Sequence, residues 1–218
     1  MKFTTSIVGL AAIAHTASAH YMFTTLVHGT EGSTAAVRQA QNNSPVRPVT
    51  SLDMRCNTNA IPAKETITVS AGDTVGFRLS AAIFHQGPAS IYLGKAPGNA
   101  ADWDGSGENW FKIAEWGATQ KPFTFTDLGK TELTTTIPKD TPSGQYLVRA
   151  EQTALHVLPP EFYVGCAQIN VVNGGSGNPP KVSIPGHISP NDPSINVDIY
   201  QVPSPTSYTV PGPTVWRG

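Results

Sequence analysis

Short runs of β-branched, aliphatic and aromatic residues recur along the chain, and glycine or proline closes most of them. The 218 residues include 20 glycines and 19 prolines, well above the roughly 12% expected for the two together. The frequent glycines and prolines between these runs argue against a helical bundle and favour short strands joined by turns. We therefore predict an all-β fold, an immunoglobulin/fibronectin-like antiparallel β-sandwich with long loops. The predicted strands are Tyr21–Val27, Thr66–Val69, Thr74–Leu79, Ala89–Leu93, Glu132–Ile137, Gly144–Ala150 and Tyr163–Val172.

The charge content narrows the set of partners. Charged residues make up 13% of the chain, and the formal net charge is -1. This balance gives no basic footprint for nucleic acid. The apolar runs fall short of the ~18 residues that a membrane-spanning helix needs. We expect neither a nucleic acid nor a membrane as a partner.

The N-terminus has the features of a secretory signal peptide. Lys2 supplies a positive charge, residues 7–14 form a short apolar core, and residues 17–19 are small at the positions that a signal peptidase reads. The interpretation predicts a signal over residues 1–19 and a secreted, extracellular protein. The alternative is a buried N-terminal strand or helix.

Cleavage after residue 19 would make His20 the first residue of the mature chain. A terminal histidine offers its α-amine and its Nδ1 to one metal ion, and the amine loses its proton easily near neutral pH. The alternative is that His20 merely follows the cleavage site by chance.

Two further features concern the architecture. Cys56 and Cys166 are the two cysteines, and in a secreted chain they predict one disulfide, with two buried thiols as the alternative. The proline-rich tail from about Asn173 to Gly218 is either a disordered linker or ordered coil over the sandwich. Alternation in Ile195–Tyr200 resembles one more strand and favours order. Asn109–Glu115 fits a helical turn or a strand equally well.

Three side chains are candidates for chemistry. His85 stands in a turn beside Gly-Pro, His156 lies near the end of a predicted strand, and Tyr163 begins another. Taken singly, each has an ordinary explanation as a loop or core residue.

Together these residues resemble a family. The matching segments are His20, Pro48–Thr50 with Asp53–Asn57, His85–Pro88 leading into Ile91–Pro97, Trp110–Ile113, Gly144–Glu151, Ala154–His156, Glu161–Tyr163 through Cys166–Ile169, and Val202–Pro213. In this order the set is similar to the fungal lytic polysaccharide monooxygenases of auxiliary activity family nine, formerly glycoside hydrolase family sixty-one. The resemblance covers the whole chain after the signal.

The resemblance implies a surface copper site, with one copper ion per chain. His20 would give its amine and Nδ1, His85 its Nε2, and Tyr163 would be a weak axial ligand. This nitrogen-rich set suits Cu(II). His156 would donate to the bound oxygen species. The implied activity is oxidation at C1 or C4 of β-1,4-glucans such as cellulose, using an external electron donor and O2 or H2O2. We expect a monomer.

One position departs from the family pattern. Glu161 stands where the family usually has glutamine, and the loop between His156 and Glu161 is short and contains prolines. A carboxylate accepts hydrogen bonds where glutamine can also donate them. Glu161 could pair with His156 as a proton relay, or it could point elsewhere because the loop is rebuilt.

The remaining expectations concern substrate and domains. Tyr208 matches a tail position that relatives use to stack on sugar rings, and the alternative is that it anchors the coil. We expect one catalytic domain over residues 20–218 with no separate carbohydrate-binding module. A non-catalytic copper-binding protein and a metal-free carbohydrate-binding sandwich are the competing hypotheses.

Overall fold

The computed structural model describes residues 20–218, so the predicted signal peptide, residues 1–19, lies outside the described residues. Within that range there are thirteen strands and two short 3-10 turns, Leu52–Met54 and Ala100–Asp102. The strands are β1 (Phe23–His28), β2 (Glu31–Ser33), β3 (Val37–Arg38), β4 (Ile67–Ser70), β5 (Thr74–Leu79), β6 (Ala89–Lys95), β7 (Glu108–Trp116), β8 (Ala118–Gln120), β9 (Phe123–Phe125), β10 (Glu132–Thr136), β11 (Gly144–Ala154), β12 (Glu161–Val172) and β13 (Val182–Ser183).

The strands form two large sheets, which confirms the predicted β-sandwich. One sheet has the order β10-β5-β1-β2, and the other runs β13-β7-β6-β11-β12-β3, with β4 beside β12. A separate hairpin pairs β8 with β9. The pairings are antiparallel except for β4 with β12, which is parallel. The long β11–β12 hairpin is the centre of the larger sheet.

Alternating side chains build the core between the sheets. In β5, Val75 and Phe77 are fully buried, whereas Arg78 between Phe77 and Leu79 is exposed. Successive side chains of a strand point to opposite faces, so one face of β5 enters the core and the other meets water. Burying a side chain such as Phe77 stabilises the fold by about 1.5–3 kcal/mol.

A second apolar layer covers the outer face of the larger sheet. Trp103 and Trp110 stack there with ring centroids 5.3 Å apart. The disulfide expected from the sequence joins Cys56 to Cys166 of β12 in the same layer. The C-terminal coil supplies further buried residues, Ile184, Ile188 and Ile195. The tail is therefore ordered coil, the alternative that the sequence favoured over a disordered linker.

Two local predictions need correction or completion. Ile195–Tyr200 forms turns and not a strand, so the prediction from its alternation is wrong. Its isoleucines are buried in separate clusters, Ile195 beside the larger sheet and Ile199 beside Phe125. The undecided segment Asn109–Glu115 lies inside β7. Across residues 20–218, no helix has the length and apolar character needed to cross a membrane.

Candidate metal centre

The candidate site begins where the described chain begins. His20 precedes β1 and is half-buried, while the next residue, Tyr21, is buried. The His20 ring lies 6.0 Å from the ring of Tyr163 on β12. The sequence order at the start of β1 therefore places His20 at the surface and Tyr21 beneath it.

His85 is held on the loop between β5 and β6. The backbone N–H of Leu155 donates to the carbonyl of Gln86 at 2.8 Å, and that of Thr153 donates to Pro88 at 2.9 Å. Gly87 permits this approach, since a Cβ there would lie 1.7 Å from the Thr153 carbonyl oxygen. The Gly-Pro pair beside His85 thus docks the loop onto the end of β11.

That docking brings His85 against the other predicted site residues. The rings of His85 and His156 stack with centroids 4.0 Å apart, and the His85 and Tyr163 rings are 5.6 Å apart. Ligand atoms of His85, His156 and Glu161 lie within 4.8 Å of one another, a spacing at which they could hold a metal ion. The structure therefore gathers His20, His85, His156, Glu161 and Tyr163 at one end of the sandwich.

Tyr21 and Gln152 support this cluster from below, and sequence reasoning missed both. The ring of Tyr21 stacks on Tyr163 at 4.4 Å. Its hydroxyl donates to Gln152 Oε1 at 2.7 Å, and Gln152 Nε2 donates to the carbonyl of His85 at 3.2 Å. Burial, and next the neighbouring Tyr163, raise the pKa of Tyr21 far above its ordinary value. The one available signal was the position of Tyr21 directly after His20.

Glu161 faces the site and does not turn away from it. The Tyr163 hydroxyl donates to Glu161 Oε2 at 3.4 Å, and His156 Nε2 lies 3.7 Å from the same oxygen. The second distance is an ion-pair separation and is too long for a hydrogen bond. Burial, and next the Glu161 carboxylate, raise the pKa of Tyr163 above its ordinary value, which keeps the phenol protonated.

The other oxygen of Glu161 has a partner that the sequence did not suggest. Arg47 Nη2 donates to Glu161 Oε1 at 2.6 Å. His156 Nδ1 is buried and has no hydrogen-bond partner among residues 20–218. The site thus combines histidine nitrogens, a protonated phenol and a carboxylate bound to a guanidinium.

Tyr208 is fixed by contacts of a different kind. Its ring packs edge-on against Phe125 at 5.1 Å, and its hydroxyl donates to the carbonyl of Ser194 at 2.9 Å. These contacts anchor the C-terminal coil, which was the alternative to a role in substrate binding. Tyr208 as a whole is partly buried.

Comparisons with known proteins point to one family. The sequence profile of Auxiliary Activity family 9 (formerly GH61) matches residues 15–208. The AA9 family lytic polysaccharide monooxygenase H of Malbranchea cinnamomea is 47% identical over 225 residues, covering 96% of this chain and 97% of that relative. Lytic polysaccharide monooxygenase C of Emericella nidulans is 45% identical over 223 residues, covering 95% and 96%.

Solved structures share the fold over nearly the same length. A cellulose-active polysaccharide monooxygenase from M. thermophila has a TM-score of 0.80 and 30% identity, covering 91% of this chain and 100% of that one. HiLPMO9B has a TM-score of 0.83 and 29% identity, with the same coverage. With a family profile, full-length relatives and the fold in agreement, this chain is a member of Auxiliary Activity family 9, a family of oxidative enzymes whose members are lytic polysaccharide monooxygenases.

Proposed function

We propose that the protein is a secreted, copper-dependent lytic polysaccharide monooxygenase that oxidises β-1,4-glucan chains, cellulose first among them, at C1, C4 or both. It would take electrons from an external donor and use O2 or H2O2. The observation that carries the proposal is the gathering of His20, His85 and Tyr163 at one end of a family 9 sandwich.

The residues of the site fit a copper ion. Imidazole and amine nitrogens are ligands that Cu(II) prefers, and affinity for such a set peaks at copper among the divalent first-row metals. His20 would contribute its terminal amine and its ring, and His85 its ring. Tyr163, held protonated beside Glu161, would be a weak oxygen ligand. Bound copper would supply the one-electron and oxygen chemistry that side chains lack.

The surrounding residues orient and shield the site. The Tyr21 ring packs beneath Tyr163, and Gln152 joins the His85 backbone to Tyr21, so the proposed ligands lie on buried, hydrogen-bonded residues. His156 is the group that would move a proton at its Nε2, which faces Glu161. Phe84, which is 45% exposed, packs against His85 with ring centroids 4.4 Å apart and 56° between the ring planes.

Support for the substrate comes from a relative and from surface aromatics. The M. thermophila structure is described as cellulose-active. Tyr208 stays a proposed substrate contact, because the residue is still partly exposed although its hydroxyl is bound to Ser194. Aromatic rings on an open surface can stack on the sugar rings of a crystalline polysaccharide. A glycosidase cleft with two carboxylates could not enclose a chain that is packed in such a crystal.

The proposal includes processing and organisation. Cleavage of a signal peptide over residues 1–19 would expose the His20 amine. Residues 20–218 would then act as one catalytic domain and as a monomer. The amine is essential to this idea, because a peptide bond at His20 would remove one of the nitrogen ligands.

Two measurements on protein with a native His20 terminus test the function. Calorimetry with Cu(II) should give tight one-to-one binding, and adding one residue before His20 should abolish it. Product analysis with cellulose and ascorbate, read by mass spectrometry, should show oxidised oligosaccharides. Copper binding without oxidised products from cellulose, xyloglucan or xylan would favour the non-catalytic copper-binding protein.

A further inference from the structure

A salt bridge joins the metal centre to a segment far away in the sequence. Arg47 Nη2 lies 2.6 Å from Glu161 Oε1, with side-chain exposures of 39% and 15%. Glu161 is also the residue that departs from the glutamine expected by the family resemblance. The departure and the salt bridge therefore meet in one side chain.

The backbone makes this pairing a built feature of the fold. Val46 forms a β-bridge with Phe162, in which each residue's N–H donates to the other's carbonyl, at 2.8 and 3.1 Å. In an antiparallel bridge, the residue after one bridge partner lies opposite the residue before the other partner. Arg47, which follows Val46, therefore lies opposite Glu161, which precedes Phe162, on the same face. Arg47 also lines a groove together with Pro159 and Pro160 of the loop that precedes β12.

The two oxygens of Glu161 have separate tasks. Oε1 accepts a hydrogen bond from the Arg47 guanidinium. Oε2 accepts one from the Tyr163 hydroxyl at 3.4 Å and lies 3.7 Å from His156 Nε2. A carboxylate is planar, so fixing one oxygen fixes the direction of the other. The guanidinium also balances a negative charge that a glutamine would not bring to the site.

We propose that Arg47 is a positioning residue of the metal centre: its salt bridge directs Glu161 Oε2 to Tyr163 and His156 and offsets the carboxylate charge. Arg47 and Glu161 then act as one unit in place of a single neutral side chain. The inference rests on the proposed function, since it assigns Arg47 a role at the copper site. It predicts that Arg47 matters only while residue 161 is glutamate.

A double-mutant cycle tests this dependence. The variants are Arg47→Met, Glu161→Gln and the two combined, with Arg47→Lys as the conservative change. The matched control is Arg78→Met, which breaks the exposed pair of Arg78 with Glu132, at 2.9 Å and with exposures of 50% and 38%.

Three readouts are measured in each variant. The midpoint temperature of thermal unfolding of the metal-free protein should fall by a few degrees for Arg47→Met. The same substitution should have almost no effect on this temperature in the Glu161→Gln background. The Cu(II) electron paramagnetic resonance spectrum should shift when Arg47→Met is introduced into the wild type, and not when it is introduced into the Glu161→Gln variant. The rate of oxidised-product formation should drop about tenfold and recover in the double variant. Arg47→Lys, with one charge but no planar fork, should fall between.

The outcomes separate this inference from the proposed function. Equal losses from Arg47→Met in both backgrounds would overturn it, and if they appear in KM alone they would make Arg47 a substrate contact. An unchanged spectrum and an effect no larger than that of Arg78→Met would also overturn it, leaving an ordinary surface pair. If the protein binds no copper, the function fails, yet the metal-free unfolding cycle and a crystal structure of Arg47→Met still decide whether Glu161 is held by Arg47.

Discussion

His85 and His156 stack almost parallel, with ring centroids 4.0 Å apart and 8° between their planes. The two rings come from different elements, the β5–β6 loop and the end of β11. A backbone hydrogen bond joins the two segments beside the rings: the N–H of Leu155, which precedes His156, donates to the carbonyl of Gln86, which follows His85. His156 is thus fixed against a proposed copper ligand while its own Nε2 faces Glu161.

This stack separates two roles of His156 that a single substitution would confuse. His156→Phe keeps a flat ring against His85 but removes both nitrogens. We expect copper affinity within a few-fold of the wild type and a loss of about 100-fold in product formation, the usual scale for losing a proton-transfer group. Calorimetry and the cellulose assay measure the two effects.

His156→Ala is the companion variant, because it removes the ring as well as the nitrogens. If stacking orients His85, this variant should lose copper affinity in addition to activity. Full activity in His156→Phe would show that no proton passes through this side chain.

Gly87 gives a second prediction, on the geometry of the His85 loop. Its φ of +151° and the 1.7 Å approach of the Thr153 carbonyl leave no room for a side chain. Gly87→Ala should push the loop off β11, lower the melting temperature by several degrees, and weaken copper binding at least about tenfold. Gly98→Ala is the matched control, since nothing lies within 4 Å of a Cβ there. Equal behaviour of the two variants would mean that the loop adapts without moving His85.

The sequence predicted the sandwich and most long strands because their local patterns agree with the fold. It left Asn109–Glu115 undecided because Trp110, Phe111, Lys112 and Ile113 are all buried, so β7 has no alternation to read. Ile195–Tyr200 misled for the opposite reason. The segment has an alternating apolar pattern, but its backbone forms turns, and its two isoleucines are buried in two separate clusters.

At the site, the sequence predicted His20, His85, His156, Glu161 and Tyr163, and the structure was needed to reveal Arg47, Tyr21 and Gln152. His85 beside Gly-Pro is a local signal of a rigid turn. Arg47 and Glu161 are 114 positions apart, and nothing in either segment predicts the bridge between Val46 and Phe162 that aligns them.

His187 belongs to a buried charged group that gives the third prediction. Glu151 is bound by Arg149 and lies 3.0 Å from His187 Nε2. Arg149 also donates to the carbonyl of Met54 at 2.9 Å. Glu151→Gln would leave the Arg149 guanidinium buried without its carboxylate, and we expect a loss of about 3–5 kcal/mol in the free energy of unfolding. Denaturant titration measures it, with exposed Glu132→Gln as the control.

The same group should make the protein sensitive to acid. Burial lowers the pKa of His187 below its ordinary 6.5, although Glu151 acts to raise it. Burial acts to raise the pKa of Glu151, but Arg149 and His187 outweigh it and hold the pKa well below the ordinary 4.5. Both groups take up protons in the unfolded chain first, so this contribution to stability is complete above pH 6.5 and falls as the pH drops through both ordinary values. Glu151→Gln should remove the steeper, lower part of that fall.

Asp127 should act in the opposite direction. It is fully buried, and neither carboxylate oxygen has a hydrogen-bond partner among residues 20–218. Burial raises its pKa from the ordinary 3.8 to about 7, although its own backbone N–H and Lys130 act to lower it. Between these values the folded protein holds a proton that the unfolded chain has lost, so stability contributed by Asp127 is complete at acid pH and declines as the pH rises toward 7.

Asp127→Asn removes this dependence, because an amide stays neutral at every pH. Since one pKa unit is equivalent to about 1.4 kcal/mol, the variant should gain up to about 4 kcal/mol on the wild type between about pH 4 and about pH 8. Unfolding in denaturant at a series of pH values gives the difference curve, which cancels the contribution of Glu151 and His187. A flat difference curve would mean that Asp127 is charged in the folded protein at acid pH and has a counter-charge or water that stabilises it. A curve that rises from the ordinary 3.8 and levels off near pH 7 would identify Asp127 as an acid that stays neutral in the folded protein below that pH.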